Sequence, residues 1–98
     1  MVEVNWSDSA LDELEGLAEY IAMENAEAAS NFVKRVFAAI DNLKLFPKSG
    51  HTPPELPDTE YREIYVTPCR LFYRLDKQDI LIVHIMREEM QLRKYLLT

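Results

Sequence analysis

With 98 residues, 48% hydrophobic and 29% charged, the chain has the length and composition of one soluble globular domain and not of a disordered segment. A formal net charge of −6 excludes coating of nucleic acid through bulk charge, and no apolar run approaches the roughly 20 residues that span a bilayer. A lone cysteine, Cys69, allows no internal disulfide, and the opening MVEVNWSDSA carries no basic, apolar leader, so a cytoplasmic protein is expected.

In chain order, residues 2–6 (VEVNW) alternate apolar and polar, as a short strand with one buried face does. Ser7 and Asp8 then supply a cap and an acidic first turn for a helix. Its stripe is Ala10, Leu11, Leu14, Leu17, Ala18, Ile21 and Ala22. Asn25 reads as a break and a fresh N-cap. The second stripe is Ala29, Phe32, Val33, Val36, Ile40, Leu43 and Phe46. Helices joined by so short a turn lie antiparallel. Pro47 stops the second one, and residues 47–60 form a Pro-rich loop long enough that it must be packed down or mobile.

Three strands are expected at about 61–66, 70–75 and 80–86, as an antiparallel meander joined by two tight turns. Strand 1 is placed at one edge of it. Glu88 and Glu89 open a last amphipathic piece, read as a short helix running to the C-terminus. The order β-α-α-β-β-β-α describes an α+β fold over a single domain, 1–98. The N-terminal helical hairpin packs on one face of a small, mainly antiparallel sheet.

Charge follows this division. Residues 1–60 hold 4 Lys/Arg against 12 Asp/Glu, a net −8; residues 61–98 hold 7 against 5, a net +2. Alternation puts Arg70, Phe72 and Arg74 on one strand face and Leu71, Tyr73 and Leu75 on the other, so the arginines are expected opposite the hairpin. With Arg87 reaching the same cleft, they would form one cationic patch of about 10 Å, each arginine worth only about 0–1 kcal/mol to folding. The bland alternative is a solvated face with ordinary pairs to Glu63, Glu88 and Glu89. His84 reads as a core-edge histidine, His51 as a loop residue, Trp6 as a core anchor and Cys69 as an inert small residue. No metal-ligand spacing and no Gly-rich phosphate loop appear in the sequence, so no metal or other cofactor is expected.

Three segments in order, WSDSALDEL, EYIAMENAEAASNFVKRVFAAIDNLKLFPKSG and PELPDTEYREIYVTPCRLFYRLDKQDILIVHIMRE, resemble the RelE/ParE superfamily of bacterial type II toxin–antitoxin systems. The wording YREIYVTPCRLFYR is similar to the ParE and plasmid-stabilisation branch. Cys69 stands where relatives commonly have Tyr. The resemblance implies a toxin that arrests growth by inhibiting DNA gyrase and is neutralised by an antitoxin encoded in the adjacent frame. Its target- or antitoxin-binding residues would be Arg62, Arg70, Phe72, Arg74 and Arg87.

Two alternatives stand beside it. A RelE-like member would cleave ribosome-bound mRNA, with Arg62, Arg70, Arg87 and Tyr95 as its catalytic set. Such cleavage needs a base, a proton source and cations for the phosphorane, and arginine, always charged, supplies only the last. A family member without toxicity would survive as an antitoxin-binding partner.

Overall fold

The structure is a computed structural model describing residues 2–92. Ser7 starts the first helix as the sequence dictates: its Oγ accepts from the Ala10 N–H at 3.0 Å, and α1 runs Asp8–Ala22. Asn25 repeats the device at Ala28, also at 3.0 Å, and α2 runs Ala26–Leu45. Before α1 lies β1 (Val4–Trp6); after α2 come β2 (Arg62–Val66), β3 (Cys69–Asp76) and β4 (Asp79–Arg87). The strand order is β1-β4-β3-β2, with β1 parallel to β4 and the other pairs antiparallel. Strand 1 thus sits at an edge of the meander, as expected.

The two helical stripes meet the sheet in one core. Ala10 and Leu14 from α1 join Phe32, Val36, Ile40 and Leu43 from α2 over Leu71, Tyr73, Ile80, Ile82 and Ile85. Trp6, half-buried, packs on this core and lies 6.1 Å from the Phe37 ring.

A bulge in β4 decides which side chains share which face. Phe72 pairs with His84 but Tyr73 pairs with Ile82, so Val83 is an extra residue on β4. Ile80 and Ile82 face the helices before it; Ile85 and Arg87 face them after it, opposite Leu71 and Cys69. β1 ends here, which would leave the β4 edge bare. The Ser7 N–H donates to the Ile82 carbonyl at 2.9 Å, and its hydroxyl to the Val83 carbonyl at 3.0 Å. The Glu13 carboxylate takes the Ile85 N–H at 3.2 Å and meets His84 Nδ1 at 2.9 Å. Glu13→Ala should therefore cost about 1–3 kcal/mol by removing the acceptor for these donors. Denaturant unfolding checks it against exposed Glu15→Ala, expected within about 0.5 kcal/mol of wild type.

The sheet's other face is also covered. Residues 47–60 are packed down: Leu56 joins Phe72, Met86, Val83 and Leu92 in a second, smaller core, and Pro53 is fully buried. The chain attaches to the β2 edge through a paired His51 and Glu63, with N···O distances of 3.0 and 2.7 Å. The helix expected to open at Glu88 does not begin there; residues 88–90 form a turn, and Leu92 folds back onto Phe72. The rest of that helix, and Tyr95, fall outside the described residues. No helix among the described residues is long and apolar enough to cross a membrane.

Candidate interaction surface

The arginines of the meander do not converge. Arg70 and Arg74 share the loop-covered face of β3 with Phe72, whereas Arg62 pairs with Tyr73 and Arg87 with Cys69, on the helix side. The expected single patch is therefore divided by the sheet itself. The β4 bulge is the physical reason for Arg87, since one inserted residue exchanges the faces of everything after it.

Arg70 is 4% exposed and not a solvated cation. Its Nη1 and Nη2 donate to both oxygens of Glu55 at 2.7 Å each, and Nη2 also donates to Glu63 Oε2 at 2.5 Å. Glu63 is fully buried. Nη1 further reaches the Met90 carbonyl at 3.1 Å, and the guanidinium lies 4.9 Å from the Phe72 ring centre. The bidentate geometry is the strong form of this pair. It holds the Glu55 carboxyl well below its ordinary range, down to about 2, and raises Arg70 further. Glu63 Oε1 is met by His51 Nε2 at 2.9 Å, and the His51 ring stacks on Tyr65 at 5.7 Å. Phe72, expected to stud an open face, is completely buried beneath this network. The network clamps residues 47–60 and the Met90 turn onto the sheet.

Arg62 serves the same loop from the other side. Its Nη1 donates to the carbonyls of Lys48 at 3.0 Å and Gly50 at 2.7 Å. Beside it the Tyr73 hydroxyl donates to the Pro47 carbonyl at 2.8 Å and accepts from the Gly50 N–H at 2.9 Å. A Cβ on Gly50 would lie 2.5 Å from the Tyr73 hydroxyl and 2.9 Å from the Glu63 carbonyl, so only glycine fits this crossing. Arg74 is half-exposed and stands 3.7 Å from Glu60. Arg87 is exposed: it pairs with Glu89 at 2.7 Å and covers the Tyr20 ring of α1 at 5.4 Å. Tyr20 is itself 59% exposed. This Arg87–Tyr20 pair, at the β4 C-terminus, is an accessible cation on an aromatic platform.

The remaining candidates are structural. His84 is buried against Glu13 at the sheet edge, as a core-edge histidine should be. Cys69 is fully buried, and burial pushes its thiol up to about 11, so it is inert. Sequence reasoning did not select Glu55, Glu13 or Tyr20. For Glu63 a signal existed: an acid at the strand position that alternation puts on the Arg70 face.

The family described as "ParE toxin of type II toxin-antitoxin system, parDE" matches residues 4–92. A Sinorhizobium fredii (strain NBRC 101917 / NGR234) protein named "Putative toxin Y4kP" is 28% identical over 88 residues, covering 90% of each chain. A solved structure titled "Chromosomal ParDE TA system from P. aeruginosa" superposes with a TM-score of 0.71 at 22% identity, over 89% of this chain and 96% of that one. The fold is shared with that structure, and the chain belongs to the ParE family of type II toxins.

Proposed function

We propose that this toxin arrests growth by inhibiting DNA gyrase in the cytoplasm, through protein contact and without chemistry of its own, and that a cognate antitoxin encoded in the adjacent frame neutralises it. The observation that carries this reading is the commitment of Arg70. Both terminal nitrogens of its guanidinium are held by two carboxylates. A phosphate entering there would displace charge-assisted bonds and take the guanidinium from buried Glu63, leaving it only its His51 contact, a costly exchange. Arg62 and Arg87 lie on the opposite face, so a phosphate could not be gripped by all three. This disfavours the RelE-like mRNA endoribonuclease built on Arg62, Arg70, Arg87 and Tyr95.

The target contact is assigned to the exposed end of β4, where Arg87 rests on Tyr20. Arg and Tyr are the residue types that dominate interface energetics when covered. Arg74, half-exposed beside Glu60, offers a second cation on the loop-covered side.

Inducing the chain alone should arrest growth with DNA-damage signalling and altered plasmid supercoiling, and co-induction of the adjacent antitoxin should abolish both. Codon-periodic mRNA cuts preceding any DNA effect would favour the nuclease. Normal growth with abundant folded protein would favour a non-toxic antitoxin-binding partner.

A further inference from the structure

Away from the arginines, α2 ends in two side chains that a monomer should not display together. Leu45 is 74% exposed and Phe46 60% exposed. With Val2 and Leu75 they line an open groove of about 780 Å³ between the α2 C-terminus and the β3–β4 turn. The charged residues at its rim are Lys48 and Lys77, with no carboxylate among the described lining residues. Among the described residues no ion pair involves either lysine. A basic rim around an apolar floor is unusual on a chain of net charge −6. Contiguous apolar surface with a polar border marks a place where another chain sits.

We infer that this groove receives the neutralising segment of the antitoxin, and that the segment carries apolar side chains flanked by Asp or Glu. The inference rests on the toxin–antitoxin reading above and adds the location and chemistry of the contact. Charge complementarity selects the occupant. A second copy of this acidic chain would bring net repulsion to the encounter, whereas an acidic apolar segment is steered in by the two lysines. The apolar floor supplies the affinity, in the manner of anchor residues seated in a groove.

The groove is also remote from the Arg87–Tyr20 end. Leu75 and Lys77 flank the start of β4 and Arg87 ends it, eight residues and roughly 26 Å away at the strand rise. Groove and target contact are therefore separate surfaces.

Binding of the purified toxin to the polypeptide encoded in the adjoining frame, measured by calorimetry at low and high salt, tests this. Leu45→Glu/Phe46→Glu should weaken binding by about 30-fold or more. Lys48→Glu/Lys77→Glu should weaken it and flatten its salt dependence. Met23→Glu, at an exposed residue outside the groove, should bind as wild type. All variants should melt as wild type does, and the milder Leu45→Ser/Phe46→Ser pair replaces any that does not. Wild-type affinity in the groove variants, with binding otherwise intact, overturns the groove and leaves the toxin–antitoxin reading standing. Self-association of the toxin that Leu45→Glu abolishes also overturns it, since the occupant would then be a second copy. Absence of any binding by the wild-type toxin would sink the toxin–antitoxin reading, and the inference with it.

Discussion

Arg70→Ala should cost about 3–5 kcal/mol, because it strips the guanidinium from a buried carboxylate and leaves His51 as its remaining ring partner. Glu63 is fully buried and bonded to Arg70 Nη2, and Glu55 loses both of its 2.7 Å bonds at once. At about 4–8 °C per kcal/mol for a domain of this size, the melting temperature should fall by about 12 °C or more. Arg70→Met/Glu63→Leu should recover much of the loss, since a buried pair replaced by apolar groups is often neutral. The deficit should also depend on pH in a definite direction. Glu55 titrates near 2, below its ordinary 4.5, because Arg70 bonds its charged form. A depressed carboxylate stabilises the fold fully above its unfolded value and loses that contribution as pH falls through the folded one. Wild type should lose stability between about pH 4.5 and 2. The variant has less to lose there, so the gap between them should narrow. Melting curves across that range decide it; a constant gap, or no loss in Arg70→Ala, would mean that the pairing contributes nothing.

The second large effect lies on the opposite face of the sheet. Phe32, 1% exposed, is among the largest side chains that α2 delivers to the main core, the cluster that also holds the sheet residues Leu71 and Ile85. Phe32→Ala should destabilise by about 3–5 kcal/mol through lost burial and the cavity left behind. Lys34→Ala, two residues on and exposed, should stay within about 0.5 kcal/mol of wild type. The sheet separates Phe32 from the Arg70 network, so the two losses should add within about 0.5 kcal/mol in the double variant. Denaturant unfolding with an unchanged m-value checks both statements.

These two residues also mark what could and could not be read from the sequence. Phe32 was legible because it lies mid-stripe on α2, and the Ser7 and Asn25 caps fixed where each stripe begins. Leu11 and Phe46, expected on the same stripes, are exposed, because the sheet does not reach them. The strands and the edge position of β1 followed from alternation and turn chemistry. Arg70 was legible only as to its face. Alternation tells which side chains share a side of a strand, and nothing in a local pattern tells what covers that side. The cover comes from Glu55, 15 residues away across a Pro-rich loop, and from the turn at Met90. A single extra residue, Val83, has no local signature and moves Arg87 across the sheet. The cationic patch was therefore a reasonable sum over one strand that the third dimension divides in two.

The most direct test of the functional account is the supercoiling of relaxed plasmid by purified DNA gyrase in the presence of the purified toxin. The account predicts inhibition with accumulation of cleaved DNA. It also predicts marked weakening of that inhibition in Tyr20→Ala/Arg87→Ala, a variant that should melt close to wild type because its pair is exposed. Unimpeded supercoiling, together with cleavage of ribosome-bound mRNA by the same preparation, would contradict it.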